Sequence, residues 1–271
     1  MATTAKPTPL DYVSQMSKVE GWLHTTSAAA TVAVARVADR HGVTGGSAEI
    51  GVHHGRFFIL LNLLAAPSAA IDVFERQDLN VDQSGRGDQE VFMANCRRFG
   101  LDPEQITVIA DSSANVTVEQ IMAATGPVRL FSVDGGHTAA ITEKDLRLAT
   151  SCLTDGGVVI LDDYFNPEWP DVSIGANRFL AAGPLEPFAI APNKLFFTNN
   201  SEIGDRYRAV LQTGDSYFTT QEMAGADVVV LASHWKRRLA ARLQRAGVVD
   251  AVASSALGAP LARMARNLLS N

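Results

Sequence analysis

LFSVDGGH, residues 130–137, is an apolar run that stops on a carboxylate, two glycines and an imidazole. VVILDDYF, residues 158–165, repeats the form with two adjacent acids. Runs this continuous in Val, Ile, Leu and Phe, rather than alternating with polar residues, are how parallel strands covered on both faces read. Outward from these two, SAEIGV, AAIDVF and ITVIA have the same character, and helical periodicity falls between them near 55–66, 86–100, 115–125 and 141–153. The alternation predicts an α/β fold built on a doubly wound, mostly parallel sheet. PFAIA and KLFFTN, separated by Pro192 and Asn193, predict an antiparallel hairpin at one edge.

At 271 residues and 46% hydrophobic content, the chain can bury one large core. The expected organisation is an N-terminal helical leader or lid over 1–45, a core over 46–212 and a C-terminal helical extension over 213–271. Residues 1–10, rich in Pro and Thr, are expected to be loosely ordered, and 11–41 carry helical periodicity. The start MATTAKPTPLDY lacks the basic residues and apolar core of a secretory signal, and no run of about 18 apolar residues occurs, so a soluble, cytoplasmic protein without membrane contact is expected. Cys96 and Cys152 have no paired spacing and read as reduced packing residues. A net charge of −6 speaks against a nucleic-acid partner, which needs clustered Lys and Arg. The basic stretch 234–245 reads instead as the wet face of an amphipathic helix. The helical ends offer surfaces through which a homo-oligomer could form.

In open parallel sheets, ligands gather at the carboxyl ends of the strands where the topology reverses. Glu49, Asp72, Asp111, Asp134, Asp162 and Asp163 all fall there. Any one of them alone reads as a helix cap or turn residue; five strands ending this way is a pattern. The first strand leads into a loop with two glycines, Gly51 and Gly55, where a dinucleotide site would have three. A carboxylate beside that loop repels phosphate but attracts an ammonium or sulfonium centre. Together E-I-G-x-x-x-G, D-G-x-H and G-G-V-V-I-L-D-D-Y resemble the motifs of class I S-adenosylmethionine-dependent methyltransferases, and among them the macrocin and mycinamicin type of sugar O-methyltransferase, with the cephalosporin-hydroxylase-like proteins as relatives. The resemblance runs from about Val19 to Lys194.

It implies a Rossmann-like methyltransferase fold with S-adenosylmethionine as cofactor. Glu49, Gly51 and Gly55 would shape the methionine side, Asp72 would take the ribose hydroxyls in competition with Glu75, and Asp111 with Ser112 would face adenine. Where many relatives place a small Ser or Thr after the second glycine, this chain has Arg56-Phe57-Phe58. The VEGWL segment around Trp22 would belong to a lid, with an ordinary amphipathic helix as the alternative.

Asp134 closes the fourth strand, and Asp162 and Asp163 the fifth, so three carboxylates should share a small volume. Such a cluster repels itself unless a hard divalent cation joins it, and oxygen ligands suit Mg²⁺. His137 is placed either as a general base for an acceptor hydroxyl or as a histidine holding an aspartate; its counterpart in the resembling sugar methyltransferases is the base. Tyr164 and Trp169 are candidates for the acceptor pocket, and the polar loop 80–88, NVDQSGRGD, for a mobile segment shaping specificity. The expected reaction is Mg²⁺-assisted methylation of a small-molecule hydroxyl acceptor, a sugar or glycosylated natural product. A catechol or phenol acceptor, a non-catalytic ligand-binding module and a nicotinamide-dependent oxidoreductase are the rival readings.

Overall fold

The computed structural model describes residues 6–213 and 218–231. The basic stretch 234–245 and the rest of the expected C-terminal extension beyond 231 lie outside the described residues. In chain order the elements are α1 (Pro9–Gln15), α2 (Thr25–Arg40), β1 (Gly46–Ile50), α3 (Arg56–Leu64), β2 (Ser68–Asp72), α4 (Gln89–Arg98), β3 (Ile106–Ala110), α5 (Val118–Thr125), β4 (Val128–Val133), α6 (Ala139–Cys152), β5 (Leu153–Asp162), α7 (Pro170–Ala181), β6 (Glu186–Ala191), β7 (Lys194–Thr198), α8 (Ser201–Thr213), β8 (Phe218–Met223) and β9 (Ala226–Leu231). Short 3₁₀ turns punctuate the connections. No described helix is long and apolar enough to cross a membrane.

The strands form one sheet in the order β3-β2-β1-β4-β5-β7-β6-β9-β8. β1 to β5 run parallel, and β7 returns antiparallel beside β5. The apolar runs behave as their composition demands. Along β5, Val158 and Ile160 enter the core shared with α2, α3 and α8, whereas Val159 and Leu161 enter the core shared with α5, α6 and α7. Alternation of side chains along a strand feeds both layers, so neither face can be polar. Cys96 and Cys152 are free and buried.

Several expectations need correction. The helix expected over 11–41 breaks after Lys18, and 19–24 form an irregular loop before α2. Gly21 takes φ +136° there, a value at home only in glycine. His24, expected only to face solvent or pack, caps α2 by accepting the Thr26 amide at 3.1 Å. The extension expected to be helical from 213 instead begins with the β8–β9 hairpin over 218–231, turned at Ala224 and Gly225, both with positive φ. β9 adds parallel to β6, so the expected β6–β7 hairpin is internal and β8 is the edge.

The chain order reverses between β1 and β4, and this opens the crevice that matters for function. Gly51 closes its floor. It has φ +82°, and a Cβ built there would stand 1.7 Å from the Asp134 carbonyl oxygen. Gly51 N–H donates to Ile71 and Asp134 N–H to Ile50, both at 2.9 Å, lacing the three strand ends together. Gly51→Ala is expected to cost about 3 kcal/mol or more, the sum of left-handed strain and overpacking. Gly42→Ala, at φ +72° with nothing within 4 Å of the new Cβ, should cost only about 1 kcal/mol. Equal losses for the two in urea unfolding would contradict the close approach at Gly51.

Candidate active site

A cavity of about 420 Å³ opens over the carboxyl ends of β1, β2, β4 and β5. Its first half is lined by Gly51, Asp72, Asp111 and Ser112. Asp72 ends β2 with both oxygens engaged by backbone: Oδ2 accepts from His53 N–H and Oδ1 from Phe74 N–H, each at 2.7 Å. This fixes the carboxylate against the wall with lone pairs still free for a ligand. Burial raises its pKa. Glu75 does not line the cavity; it accepts the Gln89 amide at 2.9 Å at the start of α4. Of the two acids weighed for the ribose, only Asp72 faces the space. Asp111 Oδ1 accepts from Ser112 N–H at 2.7 Å and from Asn115 Nδ2 at 2.9 Å, and Ser112 starts the following 3₁₀ turn.

Glu49 and Gly55 stand apart from the cavity lining. Gly55 starts α3 in the left-handed region and leaves room for Phe92, whose ring a Cβ would meet at 2.8 Å. Glu49 is buried, and its Oε2 has no hydrogen-bond partner among the described residues. Burial pushes its pKa up to about 8 against the pull of Lys194. Arg56, at the position where relatives of the resembling family carry a small hydroxyl residue, donates from Nε to the Val19 carbonyl at 2.6 Å and does not face the cavity.

The second half holds Asp134, His137, Asp162 and Asp163. Asp162 and Asp163 are not equivalent. The antiparallel register of β5 and β7 sets Lys194 opposite Asp162, and Lys194 Nζ donates to Asp162 Oδ2 at 2.5 Å. Asp162 Oδ1 accepts from Asn193 Nδ2 at 2.8 Å and from the Asp163 amide at 3.0 Å. Asp162 is therefore ion-paired with Lys194, while it lines the cavity beside Asp134 and Asp163. The groups that bring a ligand atom within 4.8 Å of one another are Asp134, His137 and Asp163.

Asp134 carries no hydrogen bond on its carboxylate among the described residues, and burial, then the Asp162 charge, hold its pKa well above the ordinary value. Asp163 bonds His137 Nε2 through Oδ2 at 3.0 Å, and its Oδ1 accepts from Asn166 and Asn193. Asp163 and Asn193 both sit at positive φ, +60° and +64°, which is strain concentrated at the site. The Asp163 amide donates to the Asn193 carbonyl at 2.9 Å, holding the two left-handed residues together.

His137 is clasped from its other side by Asp82, whose Oδ2 meets Nδ1 at 2.9 Å and also accepts the His137 amide. Asp82 belongs to the loop 80–88, so this segment, expected to be mobile, is tied into the site. Ser84 donates to Asp82 Oδ1 from both N–H and Oγ. Trp169 stacks on the His137 ring with centroids 4.3 Å apart, whereas Tyr164 is buried with its hydroxyl on Asn177. Burial opposes protonation of His137, but the hydrogen bonds from Asp163 and Asp82 outweigh it and raise the pKa. Asp82 itself is pushed down to about 2: desolvation opposes this, and the hydrogen bonds from His137 and Ser84 prevail. Asp82, Asn193 and Lys194 are the site residues that motif reading missed.

Residues 48–164 match the family model of a methyltransferase domain, a span that contains every strand-end acid described above. Among solved structures, the O-methyltransferase NovP is 17% identical with a TM-score of 0.52, covering 63% of this chain and 79% of that one. The apo structure of CalS11, a TDP-rhamnose 3'-O-methyltransferase of calicheamicin biosynthesis, is 20% identical with a TM-score of 0.44, covering 70% of this chain and 79% of that one. MycE, solved with Mg, SAH and mycinamycin VI, is 16% identical with a TM-score of 0.46, covering 72% of this chain and 55% of that one. The likeness to NovP is one of fold. No curated protein matches the sequence.

Two measurements test the electrostatics. Lys194→Met leaves Asp162 buried without its cation and should cost about 3–5 kcal/mol, a loss that adding Asp162→Asn partly restores. For His137, whose folded pKa lies above the ordinary 6.5, the stability contribution is complete below pH 6.5 and is lost as pH rises through the raised value. Asp82→Asn should lower the His137 pKa in an NMR titration and flatten that loss; an unchanged titration would remove Asp82 from the account.

Proposed function

We propose that the chain is a class I S-adenosylmethionine-dependent methyltransferase whose acceptor is a hydroxyl of a small polar molecule, a sugar or glycosylated natural product, methylated with the help of Mg²⁺. One observation carries this reading: Asp134, whose carboxylate accepts no hydrogen bond among the described residues, stands with a ligand atom within 4.8 Å of Asp163 and His137 on the cavity wall.

The donor set fits a hard cation. Asp134 carries no hydrogen bond that a metal would have to break, and Asp163 keeps an oxygen toward the same space. Mg²⁺ is held by one or two carboxylates with water and substrate completing its shell, so two acids suffice and Asp162 is not needed. When bound, the cation would supply positive charge that lowers a neighbouring hydroxyl's pKa, and S-adenosylmethionine an electrophilic methyl group. Lys194 would keep its work separate, neutralising Asp162 so that charge from β5 does not prevent Asp134 from ionising.

His137 is the proton acceptor in this scheme. Asp82 on Nδ1 would fix the tautomer and stabilise the imidazolium, and Nε2, which meets Asp163 Oδ2 at 3.0 Å, would take the acceptor's proton in place of that contact. Trp169 holds the ring plane. Asn80, Ser84, Asn166 and Glu168 line the surrounding wall beside Trp169, a polar surface with one aromatic face that suits a polyhydroxylated acceptor. The described activity of NovP, an O-methyltransferase, is in keeping with this.

Titration calorimetry with S-adenosylhomocysteine should give binding to the wild type, weakened roughly tenfold or more in Asp72→Ala through loss of charge-assisted hydrogen bonds. Methyl transfer to a panel of glycosides should fall roughly 10²–10⁴-fold in His137→Ala with unchanged cofactor affinity, and should drop on chelation and return with Mg²⁺. Turnover indifferent both to His137→Ala and to chelation would overturn the mechanism.

A further inference from the structure

At the cavity wall beside Asp72, His53 stacks on His54 with ring centroids 3.9 Å apart and an interplanar angle of 28°. Both Nδ1 atoms are buried without a well-aligned hydrogen-bond partner among the described residues, and the backbone and carboxylate of Glu20 lie beside them. An imidazole nitrogen removed from water without a partner is costly, and two side by side are more so. The Glu20 carboxylate reaches to 3.4 Å from His54 Nδ1, and one ligand atom from each of Glu20, His53 and His54 lies within 4.8 Å of the others.

The backbones carrying these groups are fixed. His53 is held in the left-handed region at φ +51° with its amide on Asp72, and the His54 carbonyl accepts from Asn95 Nδ2 at 3.0 Å. The loop that carries Glu20 is held by Arg56, which donates to Val19. Gly21 lets this loop pass close to His53, and Trp22 packs on the His53 ring at 5.3 Å.

We propose that Glu20, His53 and His54 form a transition-metal site, suited to Zn²⁺ or Co²⁺, that clips the 19–24 loop onto the β1–α3 turn at the cavity wall. Two imidazoles and a carboxylate are borderline ligands, which favour such ions over Mg²⁺. Zn–N bonds of about 2.0–2.1 Å set tetrahedral ligand atoms about 3.3 Å apart, close to the 3.4 Å between Glu20 Oε2 and His54 Nδ1. Three protein ligands leave the fourth position to water. The site is independent of the cation proposed at Asp134 and Asp163.

Full-length protein stripped with chelator and titrated with Co²⁺ in the presence of excess Mg²⁺, which fills the site proposed at Asp134 and Asp163, should develop the visible absorption of a tetrahedral ion as one equivalent binds. His53→Ala and His54→Ala should abolish the bands and weaken binding by at least the 10–100-fold typical of losing a group that merely supports a ligand. Glu20→Gln, at an exposed position that does not threaten the fold, should weaken binding and shift the bands. Asp163→Asn should leave both unchanged. Absence of tetrahedral bands in the wild type, or bands that survive His54→Ala and Glu20→Gln but vanish in Asp163→Asn, overturns the proposal.

Discussion

Negative charge crowded at the ends of β4 and β5 is the constraint around which this molecule is arranged. Asp134, Asp162 and Asp163 meet there, and Glu49 lies buried within reach of the same field. In a low-dielectric setting these groups cannot all ionise without help. Lys194 supplies part of it. Buried on Asp162 and 4.5 Å from the centre of the Phe57 ring, it stays charged: burial works against its proton, and Asp162 and Asp134 outweigh that cost. His137 and the asparagines compensate Asp163. Asp134 alone faces the cavity without a partner among the described residues, and this asymmetry turns a cluster of acids into a site with a direction.

The fold was legible in the sequence because burial on both faces leaves little freedom of composition. VRLFSV and VVILD can hardly be other than central strands, and the reversal between β1 and β4 follows from their order. Strand-end acids were equally visible, since five apolar runs each closing on a carboxylate form a pattern that single caps and turns do not produce. Partnerships made across the sheet were not visible. Lys194 meets Asp162 only because β7 returns antiparallel with that register, and a one-residue slip would have turned it to the opposite face. Asp82 is about fifty residues from His137, inside a loop whose polarity suggested mobility rather than attachment. The β8 strand escaped notice because an edge strand that is largely exposed has a polar sequence with no apolar repeat.

Structure also separates two meanings of glycine that sequence alone merges. Gly51 touches the floor of the cavity and admits the Asp134 carbonyl, whereas Gly55 serves the packing of Phe92 against α3. Both belong to one motif, yet only the first meets the ligand space. Glu49 follows the same rule: a motif position can be retained beneath a site, where its charge is managed, rather than within it.

The attachment of the 80–88 loop has a consequence for how such a protein can change. Residues of that loop wall the cavity, and its Asp82 orients the imidazole. Shape selection and proton affinity are thereby written into one short segment. Drift toward a new guest cannot be adjusted independently of reactivity, because any remodelling that lifts the segment also releases the ring it steadies. Lineages descending from this architecture should diversify more readily through the wall around Trp169 and Asn166, whose chain connection leaves Asp82 in place.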